Sequence, residues 1–415
     1  MVMSTTDGFE GVVVGSTRLS CVRGEEGRLS YAGYDIEELA ASATFEEVCH
    51  LLWHGSLPDA GAARLLADRI NAETRVDDRV LEIARSLAPV AHPMAVLRTA
   101  ISATGCTNAD GEDSSPEAEL RKAMRLTAQV TTITALLGRV RAGHREVSPR
   151  AGLGLATNFL YMLHGHEPEP AIARALDCAL VLHAEHGMNA STFAARVAAA
   201  TMTDMHSAVV AAIGALKGPL HGGAGEHVMR MLLDIDTPER AGVWVRAALD
   251  RGERIMGFGH HEYRTIDPRA SILESLVRSV QQRDADSQPD TAGTIGRDWL
   301  RVSAAVRQVM DVEMAARGRQ VRPNVDFYSA PLYHVMRIPV ELFACMFACA
   351  RIAGWTAHIM EQHRNNRPIR PVAEYSGPEH RRIEDDNPPA WPRLEPGPGQ
   401  ERTERGGRPS WPMAT

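Results

Sequence analysis

From residue 44 onward, apolar positions recur at three- and four-residue intervals, broken by Gly, Pro or Asp. Residues 44–53, 59–71, 77–87, 93–103 and 117–141 each carry such a stripe, and 168–185 and 190–216 continue it in Ala-rich form. This spacing predicts a chain built mainly of amphipathic helices. The start of the chain is different. Gly11-Val12-Val13-Val14 and Thr17-Arg18-Leu19-Ser20 are short and partly β-branched, which predicts one or two small strands, and Asp35 is placed to cap a helix opening near Glu37. The polar stretches 105–116 and 281–294 read as surface loops. After Pro371 the helical pattern stops. Residues 378–415, dense in Pro, Gly, Arg and Glu, predict a mostly disordered tail in which Trp391 and Trp411 could dock on a partner.

Composition narrows the class. A chain of 415 residues, 44% of them hydrophobic, can bury a substantial core. The net charge is -7 and the basic residues are spread out, so no nucleic-acid footprint is expected. Six scattered cysteines, Cys21, Cys49, Cys106, Cys178, Cys345 and Cys349, show neither metal-ligand spacing nor a disulfide framework, which fits a reducing cytoplasm. The first basic residue is Arg18, no secretory start precedes it, and no uninterrupted apolar run reaches the ~18 residues of a membrane span; a soluble protein is expected.

Four stretches gather residues able to do chemistry. In Gly218-Pro219-Leu220-His221-Gly222-Gly223-Ala224, a histidine sits between small residues just before a predicted helix, whose positive end disfavours imidazolium and keeps His221 a neutral donor. His183-Ala184-Glu185-His186-Gly187-Met188-Asn189-Ala190-Ser191-Thr192 places two histidines three apart, without the spacing of a zinc protease. Met256-Gly257-Phe258-Gly259-His260-His261-Glu262-Tyr263-Arg264 is followed by Asp267-Pro268-Arg269-Ala270 and lacks the strand–helix setting of a dinucleotide fingerprint. Asn324-Val325-Asp326-Phe327-Tyr328-Ser329 sets an acid among apolar neighbours, where desolvation makes a carboxylate a better base. Each stretch is also compatible with a plain glycine-rich turn or a capped helix. Arg351, inside an apolar helical run, needs an anion.

Together these stretches, with Arg351-Ile352-Ala353-Gly354-Trp355, resemble the citrate synthase family, including its 2-methylcitrate synthase relatives, in order from about Gly11 to Pro378. The resemblance implies an all-α fold: a large helical domain in residues 1–223 and 332–378, a smaller closing domain in 224–331, and the tail from 379. It implies condensation of acetyl-CoA with oxaloacetate and hydrolysis of the thioester. Asp326 would take the methyl proton, His221 hold the enolate oxygen and His260 polarise the ketone. His186, Arg269, Arg351 and Arg370 would bind oxaloacetate, with Arg370 reaching across a homodimer or dimer-based hexamer, and Arg264 would lie near the CoA phosphates. No metal or redox cofactor is implied. Where the family commonly has Arg-Val after His260 this chain has His261-Glu262, and Gly225 and Ala330 replace a usual Asn and Gly. Such departures bear on acyl-CoA affinity or preference. Propionyl-CoA is the alternative acyl donor; a non-catalytic oxaloacetate- or CoA-binding paralogue and a histidine-cluster metallohydrolase are readings from other classes. Because the chain begins almost at the catalytic core, inhibition by NADH through an added N-terminal domain is not expected.

Overall fold

The computed structural model describes residues 12–287 and 298–378. The chain divides into two compact units, Val13–Ile369 and a second made of the two ends, Met1–Val12 with Arg370–Thr415. Of the second, only Val12 and residues 370–378 are described; they are irregular, and the Tyr375 hydroxyl donates to the Pro378 carbonyl at 3.0 Å. Gly11, positions 288–294 of the second predicted loop, and the tail from 379 with Trp391 and Trp411 lie outside the described residues.

The strand predicted at the very start does not form: Val12–Val14 are irregular and exposed, and of Thr17–Ser20 only Ser20 is paired. The pairing comes later, because the turn 24–27, with glycine at each end and Gly27 at φ 64, folds the chain back on itself. The strands β1 (Ser20–Arg23), β2 (Arg28–Tyr31) and β3 (Tyr34–Asp35) form a small antiparallel sheet in that order, with Ser20 opposite Tyr31. Asp35 does precede the first helix, but its side chain makes no cap and takes Arg28 at 2.8 Å instead.

The rest is helical. α1 (Ile36–Ser42), α2 (Phe45–His54), α3 (Ala60–Ala72), α4 (Asp78–Leu87), α5 (Pro93–Thr107), α6 (Pro116–Arg141), α7 (Leu155–His164) and α8 (Pro170–His183) build the first part. Their starts are dictated locally. Thr44 and Glu47 form a capping box, Asp59 and Asp77 accept N–H groups of the turns they open, and Pro93, Pro116 and Pro170 occupy first-turn positions where no N–H is needed. The single helix predicted over 190–216 is two, α9 (Ala190–Ala199) and α10 (Met205–Leu216). Met202 turns left-handed at φ 64, and the Asp204 carboxylate caps the new helix by accepting the Ser207 N–H at 3.0 Å.

Next come α11 (Ala224–Ile235), α12 (Pro238–Asp250), α13 (Pro268–Ser287), α14 (Trp299–Ala316), α15 (Val325–Val335) and α16 (Phe343–Arg364). Both predicted loops begin later than expected, since α5 continues to Thr107 and α13 to Ser287. α12 packs on α14, and α15 on both α11 and α13. α16 touches α2, α5, α6, α8, α9 and α10. Segment 340–364 is long and apolar enough to cross a membrane, with a mean hydropathy of 1.4, but it is enclosed by protein on nearly every side. A helix apolar all round is what a core centre requires. One continuous cluster of buried apolar side chains runs from Leu19 to Met360.

Candidate active site

Segments far apart in sequence meet in one cleft of about 1190 Å³. His186, His221, Phe347 and Arg351 line it from the turns before α9 and α11 and from α16, while His260, Arg269 and Asp326 line it from the loop before α13, from α13 itself and from α15.

His221 lies three residues before α11. Its Nε2 accepts the Ser191 backbone N–H at 3.3 Å, with the Ser191 hydroxyl 2.8 Å away. A backbone N–H can only donate, so a neutral ring making this bond carries its proton on Nδ1. Burial, reinforced by Arg351, lowers the His221 pKa to about 4, so neutrality has a stronger cause than the helix terminus alone. Ser191 is held in turn by donation from Trp355 Nε1 at 3.2 Å. Gly222 is a packing requirement: a Cβ there would stand 2.4 Å from the Leu216 carbonyl oxygen.

His260 is fixed the opposite way round. Its Nδ1 accepts the backbone N–H groups of Glu262 at 2.9 Å and Tyr263 at 3.2 Å, which leaves the proton on Nε2. Burial and then Arg269 lower its pKa to about 4. His186 is 5.2 Å from His260 between ring centres, and its Nε2 is 3.1 Å from the Tyr263 hydroxyl. Burial, Arg269 and His260 push its pKa well below the usual histidine value. His183, three residues earlier, faces the core, where its Nδ1 donates to the Ala179 carbonyl at 2.7 Å. Among the described residues, no group of three or more His, Cys, Asp and Glu side chains is arranged to hold a metal ion.

Asp326 sits in the first turn of α15, whose cap is Asn324: its Oδ1 accepts the Asp326 N–H at 3.0 Å, and its Nδ2 donates to the Gly259 carbonyl at 2.9 Å. The cap thus ties the acid to the histidine loop. Burial raises the Asp326 pKa to about 6, against the pull of Arg269 and with a push from Asp267. A carboxylate poised there is a competent base near neutral pH.

Two arginines lie at the bottom, 2% and 1% exposed. Arg269 grips Asp267 in a fork, Nε to Oδ1 at 2.9 Å and Nη2 to Oδ2 at 2.8 Å, and Asp267 also accepts the Val325 N–H at 3.2 Å. Arg351 donates from Nε to the His183 carbonyl at 2.8 Å and lies 4.8 Å over the Phe347 ring. Burial lowers its pKa to about 10, despite the opposing field of Glu185. Such a cation is under-compensated, and an anionic ligand would relieve it. Glu185, fully buried, accepts from Ser20 Oγ and the Gly187 N–H through one carboxylate oxygen, beside His358 Nε2 at 3.0 Å.

Arg264 does not line the cleft; its side chain is exposed, 4.0 Å from Glu25. Arg370 belongs to the second unit. His261 and Glu262 do line the cleft, whereas Ala330 is buried in α15. The sequence reading missed Arg254, Arg317 and Arg319, exposed cations that line the cleft from two separate segments. No local pattern marks them, since Arg254 follows α12 and the other two flank Gly318. It also gave no role to Ser191, Asn324 and Asp267, although all three stand in stretches already singled out.

Residues 8–372 match the family model for the citrate synthase C-terminal domain. Citrate synthase of Haloferax volcanii is 45% identical over 375 residues, covering 89% of this chain and 95% of that protein. A 2-methylcitrate synthase of Mycobacterium tuberculosis is 43% identical, covering 90% of this chain and 91% of its own. Among solved structures, citrate synthase of Thermoplasma acidophilum, in ternary complex with carboxymethyl coenzyme A and oxaloacetate, superposes with a TM-score of 0.83 at 28% identity, over 91% of this chain and 98% of that one. The chain therefore belongs to the citrate synthase family, enzymes that transfer an acyl group by carbon–carbon condensation.

Proposed function

We propose that the protein condenses acetyl-CoA with oxaloacetate and hydrolyses the resulting thioester to citrate and CoA. The observation that carries this reading is the meeting, in one cleft, of a carboxylate with its pKa raised to about 6, two neutral histidines with opposite tautomers, and two buried arginines. Asp326 takes a proton from the acetyl methyl group. The enolate oxygen accepts a hydrogen bond from His221 Nδ1. The new bond joins the methyl carbon to the ketone carbon of oxaloacetate, whose oxygen is polarised and protonated by His260 Nε2. Water then cleaves the thioester. Placed donors of this kind are worth ~10²–10³-fold in rate each, and a general base ~10²–10⁴-fold.

Oxaloacetate brings two carboxylates, and Arg269, Arg351 and His186 are assigned to them. Arg370 is assigned to the substrate of a neighbouring protomer, in a homodimer or a dimer-based hexamer. The CoA phosphates fall to Arg254, Arg317 and Arg319 at the opening, which suits a polyanion better than the exposed Arg264 outside it. Residues 224–331 act as the closing domain, a reading supported by the cleft being lined from both 186–221 and 249–326. None of these steps needs a metal or redox cofactor. The six cysteines are all free thiols, which supports a reducing, cytoplasmic setting.

The test is release of free CoA from acetyl-CoA by the purified protein, with and without oxaloacetate. Oxaloacetate-dependent release that collapses in Asp326→Ala and His221→Ala is expected, and no release from any short acyl-CoA sinks the proposal. Propionyl-CoA is the second substrate to try, because a 2-methylcitrate synthase is almost as similar to this chain as a citrate synthase is. One methylene is worth only ~1–3 kcal/mol of discrimination, so kcat/KM must be measured for both.

A further inference from the structure

Tyr263 is buried at 5% exposure, has no part in the steps above, and touches both histidines assigned to oxaloacetate. Its ring centre is 4.6 Å from that of His260 and 5.6 Å from that of His186. Its backbone N–H donates to His260 Nδ1 at 3.2 Å, and its hydroxyl is 3.1 Å from His186 Nε2. It does not line the cleft, whereas both histidines do. It therefore reaches the ligand space only through them.

We propose that Tyr263 is a positioning residue for oxaloacetate, which donates its hydroxyl proton to His186 Nε2 and so holds that ring as an Nδ1–H donor toward the substrate while its backbone N–H holds His260 as an Nε2–H donor. The direction of the hydroxyl bond follows from chemistry. A phenol O–H is a stronger donor than a neutral imidazole N–H, and an imidazole nitrogen is a stronger acceptor than a phenol oxygen. Burial keeps the phenol protonated, and burial with the neighbouring arginine keeps His186 neutral, so one proton serves this bond and one remains on the ring. Donors are what an anionic dicarboxylate needs, and a free histidine would divide its population between two tautomers, one of which presents a lone pair to the substrate instead.

The tyrosine is itself held from behind. The next residue, Arg264, donates its backbone N–H to the Gly24 carbonyl at 3.1 Å, and a Cβ at Gly24 would lie 1.9 Å from the Glu262 carbonyl oxygen. The hairpin turn thus sits directly against the loop that carries Tyr263.

The inference rests on the proposed function for its substrate, and its test has one readout that does not. Tyr263→Phe deletes the hydroxyl and keeps the ring packing. In this variant KM for oxaloacetate should rise about tenfold while KM for acetyl-CoA stays within twofold and the melting temperature is retained. In parallel, 15N NMR of histidine-labelled protein, with His186 assigned through His186→Gln, should show the proton on Nδ1 in the parent and a mixture of tautomers in Tyr263→Phe. KM for oxaloacetate within twofold of the parent, or His186 carrying its proton on Nε2 in the parent, overturns the proposal. If Tyr263→Phe does not fold, the parent spectrum alone decides. If the parent releases no CoA at all, the functional reading has failed, and the tautomer measurement still answers for Tyr263.

Discussion

The bottom of the cleft and its opening hold cations of the same chemical type in opposite physical states. Arg269 and Arg351 are nearly inaccessible to water, and each is anchored by a hydrogen bond to a fixed partner, Asp267 or the His183 carbonyl. Arg254, Arg317 and Arg319 are exposed, and the acidic groups nearest Arg317 among the described residues are loose ones, Asp250 at 3.9 Å and Glu313 at 4.0 Å. Where water is excluded, charges interact strongly and shift the pKa of everything nearby. At the opening, solvent and salt screen them. The bottom can therefore set protonation states and geometry, while the opening can only collect and retain an anion. Substitutions in the two places should differ in size and in kind.

The largest effect is expected at Asp326. Asp326→Asn should lower kcat/KM by ~10²–10⁴-fold, as loss of a general base does. In the parent, kcat/KM should fall as pH drops through about 6, because the carboxyl must be ionised to accept a proton. Its effect on stability has the opposite sense. A carboxyl whose pKa is raised by folding binds its proton more tightly in the folded state, so ionising it above about pH 6 destabilises the fold. Asp326→Asn should accordingly be the more stable protein at pH 8, by ~1–3 kcal/mol, and the gain should vanish below about pH 4; melting curves at the two pH values check it. An inactive variant that is also less stable at pH 8 would mean that the bottom of the cleft is not strained by this charge.

Arg351→Lys comes next. A lysine keeps the charge but cannot both hold the His183 carbonyl from Nε and present a planar fork over Phe347. KM for oxaloacetate should rise by ~10–100-fold, the worth of a charged hydrogen bond, with KM for acetyl-CoA little changed. Gly225→Asn sharpens the comparison with a smaller change. A Cβ at Gly225 would stand 3.5 Å from Asp326 Oδ1, so an asparagine there could donate to the carboxylate and favour its ionised form. The acidic limb of the kcat/KM profile should move below pH 6, and an unmoved limb would show that the amide does not reach it.

The smallest effect belongs to the opening. Arg317→Ala should raise KM for acetyl-CoA by only a few-fold, in line with the ~0.2–1 kcal/mol of an exposed charge contact, and the difference should disappear at high salt. A large, salt-insensitive loss would erase the distinction between the two regions.

Legibility in the sequence followed the range of the forces involved. Helices with strong local punctuation were readable, as where Thr44 with Glu47, Asp59, Asp77 and Pro116 fix helix starts. The break between α9 and α10 was missed, because the Ala-rich stripe continues across it and only the Met202 turn and the Asp204 cap interrupt it. The residues grouped by motif, His186, His221, His260, Arg269, Asp326 and Arg351, all line the cleft, whereas Arg264, which the family resemblance placed near the CoA phosphates, does not. Nearness along a loop says little about which way a side chain points.

The sequence alone determined which chemical groups were available and most of the helices that carry them, since caps, prolines and apolar spacing act within a turn or two. Only the tertiary structure decided their states. The His221 proton is placed by Ser191, 30 residues away; the Arg351 guanidinium is held by His183, 168 residues away; and the Asp326 pKa is set by burial among segments that are neighbours only after folding. Protonation and orientation depend on exclusion of water and on donors brought from distant parts of the chain, and neither exists until the chain has packed.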